Sequence, residues 1–203
     1  TPATYSECYQ WFVAPTDING SNPRPDLAPD IINNSWSCPT SEGCTDPNVL
    51  LDVVNNVRAA GILSVHSAGN RGSTCAEPGD PPTMYPAAIY DASFTVGATD
   101  NNDVIATLSS RGPVISDGSN RLKPDIVAPG LNILSTVPGG GFRTAMGTSM
   151  AAPHVAGVAA LLLSRRPDLR GQVDQIEDLL RRGAVPRTTS QECGQIPGSQ
   201  VPN

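Results

Sequence analysis

The sequence has few charged residues, few aromatic residues and no long apolar run. Charged side chains make up 16% of the 203 residues and aromatic side chains 4%. Because disordered chains are usually rich in charge, this composition predicts a compact globular chain. No run of about 18 apolar residues occurs, so the sequence contains no candidate transmembrane helix. The formal net charge of −6 argues against nucleic acid and anionic membranes as partners.

The chain also lacks a recognisable signal peptide and any metal-binding pattern of cysteines. It opens without a basic segment or a long apolar stretch, as a trimmed secreted chain or a cytosolic chain would. The five cysteines form no C-x-x-C motif, and we predict structural disulfides in a secreted protein over free thiols. Cys38 and Cys44 flank a short loop that a bridge can close, and the odd total leaves one thiol free or paired elsewhere. The others are Cys8, Cys75 and Cys193.

Short apolar runs alternate with helical stretches, and this order predicts an α/β fold with a parallel sheet. Apolar residues surround nearly the whole segment 149–164, which predicts a helix buried on all sides. Gly61 and Gly183 are expected to end two other helices. The predicted strands are 28–36, 61–70, 92–100 and 125–130, the predicted helices 48–61, 149–164 and 172–183, and the predicted loops 71–90, 111–124 and 191–203.

Polar residues follow two of the predicted strands at the point where each strand ends. They occupy 33–36 after the first strand and 67–70 after the second. The carboxyl ends of parallel strands meet at one edge of a sheet, where open α/β folds place their ligand sites. We therefore expect both segments to form walls of one site.

The segment GTSMAAPHVAG, at 147–157, is the strongest indication of chemistry in the sequence. Ser149 stands at the start of a long helix, where free N–H groups and the helix dipole stabilise negative charge. A hydroxyl that attacks a carbonyl needs such an environment for the oxyanion that it creates. Gly147 and Thr148 are small, which would let a substrate backbone approach Ser149. A lone serine at this point is otherwise an ordinary N-cap on a core helix.

This segment closely resembles the serine motif of the subtilases, and the resemblance covers most of the chain. Four other strings resemble further segments of that family: INNSW, SAGN, YPAAIYDASFTVGATD and RLKPDIVAPG. The cysteines around INNSWSCP resemble the bacillopeptidase F-type branch. The resemblance implies a three-layer α/β/α subtilisin-like fold with a mostly parallel sheet. It also implies a serine endopeptidase that cleaves peptide bonds through an acyl-enzyme.

The resemblance further implies a role for individual residues. Ser149 matches the nucleophile, and its backbone N–H together with the side-chain amide of Asn70 would form the oxyanion hole. Two short segments match the walls that bind substrate, although the family often has Gly at position 37. The residues expected to pair with substrate backbone are Ser35, Trp36 and Ser37, and those expected beside the primary specificity pocket are Ser67, Ala68 and Gly69.

A serine hydroxyl needs a neighbouring base, which subtilases supply from Asp and His segments upstream of the serine. This chain has two histidines and no D-[ST]-G or H-G-T-H string. His154 belongs to the serine motif as a structural helix residue, and His66 is interpreted as a core histidine or as a residue that lines the pocket. We therefore interpret residues 1–203 as a partial catalytic domain, incomplete at both ends, that is inactive without its Asp and His portion.

The expected partners are polypeptide substrates and the missing Asp/His segment of the same protein. A core left open by that absence would also favour a dimer. The alternative function is that of a non-catalytic subtilase homologue acting as a binding or scaffolding module, and upstream D-[ST]-G and H-G-T-H strings would decide for the enzyme. An α/β-hydrolase esterase is disfavoured because the local string is GTSMA instead of G-x-S-x-G.

Arg71 and the loop carboxylates leave two questions open. Arg71 follows Asn70 directly and either lies at the pocket rim, where it would favour an acidic substrate side chain, or is a solvated loop residue. Subtilases often bind calcium, but the spacing of the loop carboxylates matches no calcium loop, so we assign neither a metal site nor a cofactor. Those carboxylates are Asp80, Asp91, Asp100 and Asp103.

Overall fold

A computed structural model describes residues 1–72 and 84–186 of the chain. Its helices are α1 (Pro2–Val13), α2 (Leu51–Ala59), α3 (Thr148–Arg165) and α4 (Val173–Gly183), with short 3-10 turns at Pro25–Leu27, Thr40–Glu42 and Pro167–Leu169. Its strands are β1 (Ile31–Asn34), β2 (Leu63–Ser67), β3 (Phe94–Thr99), β4 (Ile126–Pro129), β5 (Ile133–Thr136) and β6 (Phe142–Ala145). Within the described residues, no helix has the length and apolar character to cross a membrane.

The strands β1 to β4 form a parallel sheet in the order β1-β2-β3-β4. The register places Asn34 beside His66 and Val96 beside Ile126. The two central strands are buried along their whole length, as expected for strands covered on both faces. The predicted α/β fold with a mostly parallel sheet is thereby confirmed.

Helices cover both faces of this sheet and divide the core into two clusters. Leu63 and Val65 of β2 pack in one cluster with α3 and α4, while Tyr9 of α1 and Val54 of α2 pack in the other. Because successive residues of a strand point to opposite faces, His66 lies on the side of α1 and α2. The fold therefore has three layers, and Ser149 and His66 belong to different ones.

Helix α3 corrects one prediction. It was expected to be buried on all sides, but Val158 is 53% exposed and Leu161 is 72% exposed. The sheet covers the side of α3 that carries Ala152 and Val155, and no described element covers the opposite side. The prediction was wrong for that outer face because apolar composition alone does not tell which neighbours a helix has.

Two elements have no counterpart among the predictions. Helix α1 is polar and aromatic, so it shows no clear apolar stripe. Its N-cap is Thr1, whose Oγ1 accepts from the Thr4 backbone N–H at 3.4 Å. The hairpin β5-β6 is largely exposed, and an antiparallel pair needs little apolar patterning when both faces are wet. Its turn includes Gly139, Gly140 and Gly141, all with positive φ.

Two of the five cysteines form the pair that the short loop between them permits. The sulfurs of Cys38 and Cys44 lie at disulfide-bonding distance, with their Cα atoms 5.7 Å apart. Cys8 is exposed and free. Cys75 and Cys193 lie outside the described residues, as does the predicted loop at 191–203.

Candidate active site

Ser149 occupies the first turn of α3 at the carboxyl edge of the sheet. Its Oγ lies 3.4 Å from the carbonyl oxygen of Ser35, and the Ser35 hydroxyl donates to the Ser149 carbonyl at 3.0 Å. These contacts join the start of α3 to the segment that follows β1. Because α3 has 18 residues, its unpaired N–H groups and dipole direct positive potential at this end.

Asn70 is tied to the residue that precedes Ser149. Its Oδ1 accepts from the Thr148 backbone N–H at 2.9 Å and from the Thr148 hydroxyl at 3.1 Å. A backbone N–H can only donate, so the amide oxygen must face Thr148 and the amide Nδ2 must face away. In the described part of the chain Nδ2 has no hydrogen-bond partner, which leaves it able to donate to a ligand.

Gly147 makes this close approach possible. Its φ of 143° is one that side chains rarely adopt, and a Cβ at this position would lie 3.1 Å from Asn70 Nδ2. A residue with a side chain would therefore be strained and would crowd the amide. The geometry requires glycine at the N-cap of α3.

A cavity of about 350 Å³ opens in front of these groups. It lies where β1 and β2 end, as the polar residues after the two strands predicted. Its described lining residues are Ser35, Trp36, Ser37, Ser67, Gly69, Asn70, Arg71, Tyr85 and Ser149. A serine hydroxyl, an amide donor and a helix N-terminus thus face one space.

Two of the predicted site residues lie behind this cavity. Ala68 is 1% exposed and packs in the core cluster that contains α2, so its role in binding substrate remains a prediction. Thr148 is fully buried, and its expected part in letting a substrate backbone approach Ser149 remains a prediction. Its hydroxyl accepts from the Gly69 backbone N–H at 3.0 Å while donating to Asn70, and so joins α3 to the end of β2.

Tyr85 lines the cavity, although sequence reasoning did not single it out. The Arg71 guanidinium donates to its hydroxyl and lies 5.1 Å from the centre of its ring. Tyr85 is 14 residues along the chain from Arg71 and opens the string YPAAIYDASFTVGATD, but that resemblance assigned it no role. For Arg71 the sequence allowed two positions, the pocket rim or a solvated loop, and the structure places it in the cavity lining.

Neither histidine contacts Ser149. His66 is fully buried; its Nε2 lies 2.7 Å from Ser64 Oγ and 3.4 Å from the Tyr9 hydroxyl, while its Nδ1 has no partner. Burial, and secondly the positive charge of Lys123, lower the pKa of His66 to about 3. His154 is exposed, and its Nδ1 lies 2.8 Å from the Met150 carbonyl oxygen. Within the described residues, Ser149 therefore has no histidine base.

The described carboxylates offer no metal centre. No three His, Cys, Asp or Glu side chains come together within residues 1–72 and 84–186. Asp100 accepts from the backbone N–H groups of Asn102 and Val104 in its own turn, at 2.8 and 2.9 Å. Asp91 lies 3.9 Å from Arg121, and Asp80 is outside the described residues. The described residues do not fit a calcium site, so no step below depends on a metal.

The fold and this geometry define an α/β protein with a candidate acyl-transfer site. The model of the Subtilase family matches residues 4–196, and the chain therefore belongs to the subtilase family. It is 43% identical over 191 residues to Bacillopeptidase F of Bacillus subtilis (strain 168), an alignment that covers 94% of this chain and 12% of that protein. The predicted resemblance to the bacillopeptidase F branch is thus confirmed.

Two further relatives are similar to parts of this chain. Subtilisin E of Bacillus subtilis (strain 168) is 36% identical over 165 residues, which are 81% of this chain and 37% of that protein. Alkaline elastase YaB of Bacillus sp. (strain YaB) is 44% identical over 114 residues, 56% of this chain and 26% of that protein. The chain therefore spans well under half the length of these relatives.

Proposed function

We propose that this chain carries the nucleophile of a serine endopeptidase, Ser149, and the oxyanion-binding groups that act with it. The observation that supports this most directly is the fixed Asn70 amide beside the first turn of α3. Thr148 holds the amide oxygen at 2.9 and 3.1 Å, so the N–H donor faces the cavity that Ser149 also lines. Family membership supports the same reaction class.

In the proposed reaction, Ser149 Oγ attacks the carbonyl carbon of a peptide bond and loses its proton to a base. The carbonyl oxygen becomes an oxyanion, which accepts from Asn70 Nδ2 and from the Ser149 backbone N–H. Collapse of the tetrahedral intermediate expels the amine, which takes up the proton, and leaves an acyl-enzyme. Water then hydrolyses this ester and restores the Ser149 hydroxyl.

We place the substrate backbone along Ser35, Trp36 and Ser37, which continue β1 to the cavity edge. An extended peptide can bind there by main-chain hydrogen bonds, as added strands do. Ser67 and Gly69 would line the pocket for the side chain next to the scissile bond. Ala68 would support that wall from behind, since it packs into the core.

We further propose that the base and its carboxylate partner come from another segment of the same protein. Strand β1 is an edge strand that pairs with β2 alone among the described strands, so its free side can accept one more strand. The much greater length of the relatives is consistent with such a segment. Residues 1–203 would then be part of a catalytic domain, inactive when isolated.

Labelling with a fluorophosphonate tests both statements. We expect no label on the purified chain, and label on Ser149 when the same protein also contains its Asp and His segment. A Ser149→Ala variant of the longer protein is the matched control and should take up no label. Labelling of the isolated chain at ordinary rates would refute its inactivity. A longer protein that contains both motifs and still takes up no label would refute the peptidase and favour a binding or scaffolding module.

We also propose that the protein acts outside the cytoplasm. The Cys38–Cys44 pair supports this, because disulfides persist mainly in oxidising compartments. Mass mapping of the native protein should recover the two cysteines in one cross-linked peptide. Recovery of both as free thiols from the native source would contradict the proposal.

A further inference from the structure

Arg71 is held in the cavity by contacts at both its ends. Its backbone N–H donates to Ser110 Oγ at 3.1 Å, and its guanidinium donates to the Tyr85 hydroxyl. The guanidinium also lies 5.1 Å from the centre of the Tyr85 ring, within the range of a cation–π contact. A solvated loop arginine would need neither partner. The side chain is therefore directed along the cavity wall.

The charge of this wall is positive. Arg71 is the one charged residue among the described residues that line the cavity. No described carboxylate forms an ion pair with it, whereas most other described arginines have one. The positive end of α3 opens on the same space. Two independent sources of positive potential therefore act on whatever side chain enters.

The guanidinium also keeps donors for a ligand. Arginine has five N–H donors in a planar fork, and the contact with Tyr85 uses one Nη1 donor. The remaining donors have no partner in the described part of the chain. A carboxylate is the group that such a fork binds best, since it can accept two parallel hydrogen bonds.

We propose that the pocket beside Ser149 selects an acidic side chain, Glu or Asp, on the residue whose carbonyl is attacked, and that Arg71 is the selecting residue. This inference rests on the proposed peptidase function. Arg71 follows Asn70 directly in the chain, and the Asn70 amide is the proposed donor to the oxyanion. Asn70, Arg71 and Ser149 line the same cavity, so Arg71 would act on the side chain attached to the reacting carbonyl group.

The test uses the protein with its Asp and His segment and a set of peptides that differ only at this residue. We expect kcat/KM for Glu to exceed that for Gln by roughly 10-fold or more, as for a charge-assisted hydrogen bond at a partly exposed site. Arg71→Gln should bring the Glu/Gln ratio close to one, and Arg71→Glu should shift the preference to Lys. Tyr85→Phe, which frees the guanidinium without removing its charge, should lower the ratio by a smaller factor.

Arg165→Gln is the matched control. It removes the same charge from an exposed arginine at the opposite end of α3, about 25 Å along the helix axis from Ser149. That distance exceeds the Debye length of about 8 Å at physiological salt, so the Glu/Gln ratio should stay as in the wild type. Equal loss of the ratio in Arg71→Gln and Arg165→Gln would overturn the proposal, because only net charge would then matter.

The peptide assays distinguish a pocket without acidic preference from a protein without peptidase activity. Cleavage of all peptides with a Glu/Gln ratio near one would overturn the inference and leave the peptidase standing. If no peptide is cleaved, the peptidase fails, and calorimetric titration of product-like peptides that end in Glu or Gln tests the pocket by itself. Tighter binding of the Glu peptide, lost in Arg71→Gln, would support the pocket; equal binding would overturn it.

Discussion

Two polar clusters lie at strands β1 and β2, and they differ in exposure and in which polar atoms remain free. The open cluster consists of Ser35, Asn70, Thr148 and Ser149; three of them line the cavity, and the buried Thr148 supports them from behind. The sealed cluster consists of Tyr9, Asn34, Ser64 and His66 and lies under α1. Both are held by side-chain hydrogen bonds of about 2.7 to 3.4 Å, so bond lengths do not separate them.

The difference lies in which groups remain free and where they are. In the open cluster Asn70 Nδ2 has no hydrogen-bond partner among the described residues, and Asn70 lines the cavity, where this donor can bind a ligand. In the sealed cluster the atom without a hydrogen-bond partner is His66 Nδ1, which is buried. An unpaired polar atom at a cavity can bind a ligand, whereas an unpaired polar atom in the core lowers the stability of the fold. Polarity alone therefore does not identify the active site.

The largest expected effect separates the clusters by activity. Asn70→Asp keeps the oxygen that accepts from Thr148 but replaces the Nδ2 donor with a negative acceptor, so the oxyanion loses a partner and gains a repulsive charge. We expect kcat of the complete protein to fall by a factor on the order of 10²–10³, as is typical when an oxyanion loses one of its hydrogen-bond donors. Steady-state kinetics measures it.

Asn55→Asp is the control for added charge, since Asn55 is exposed on α2 and away from the cavity. Its kcat should equal that of the wild type. If Asn70→Asp also kept wild-type kcat, Asn70 would be structural, and the distinction between the open and sealed clusters would disappear.

The second prediction concerns the sealed cluster and pH. The pKa of His66 is about 3 in the folded chain and 6.5 when unfolded, so the unfolded chain takes up the proton first as pH falls. The free energy of unfolding should therefore decrease below pH 6.5, by at most about 1.4 kcal/mol per pH unit, and level off near pH 3. Urea titrations of the isolated chain at several pH values measure this slope.

His66→Gln should flatten the slope between pH 6 and pH 4, because no group with this behaviour remains at the site. His154→Gln is the matched control, because it removes the other histidine from an exposed position outside the sealed cluster, and it should keep the wild-type slope. A slope that is the same in all three proteins would show that other groups dominate acid unfolding and that His66 is not sealed.

The third prediction tests how tightly the open cluster is built. Gly147→Ala puts a Cβ 3.1 Å from Asn70 Nδ2 at a φ of 143°, so we expect the free energy of unfolding to fall by about 1–3 kcal/mol. Thermal or urea unfolding measures this loss. Gly157→Ala is the matched control in the same helix, where a Cβ meets no atom within 4 Å; it should stabilise by up to about 1 kcal/mol. Similar values for both variants would mean that the start of α3 is not strained.

The smallest expected effect lies outside both clusters. Leu161 is 72% exposed on the outer face of α3, so Leu161→Gln should change the free energy of unfolding by less than about 0.5 kcal/mol. Leu163, which is 4% exposed, is the matched position, and Leu163→Gln should cost several times more. If the predicted dimer uses this face, light scattering should show weaker association for Leu161→Gln. Equal stability losses at both positions would mean that the outer face is covered.

Much of the fold was predictable because its signals are local. Apolar runs and turn residues located β1 to β4, α2, α3 and α4, with ends that differ by a few residues from those observed. The run GTSMAAPHVAG placed Ser149 at a helix start without any knowledge of its neighbours. By contrast, α1 and the β5-β6 hairpin escaped prediction, since exposed or partly polar elements have weak apolar periodicity.

By itself the sequence determined the order of β1 to β4 and of α2 to α4 along the chain, the serine at the start of α3 and the family to which the chain belongs. Only the tertiary structure decided that Thr148 is a buried link, that His66 lies on the far face of the sheet, and that Tyr85 holds Arg71 in the cavity. The physical reason is range. Secondary structure follows from residues that are neighbours in the chain. The Thr148 link and the Arg71–Tyr85 contact join segments that come together only in the folded chain. The face on which His66 lies depends on the packing of α1 and α3 on opposite sides of the sheet.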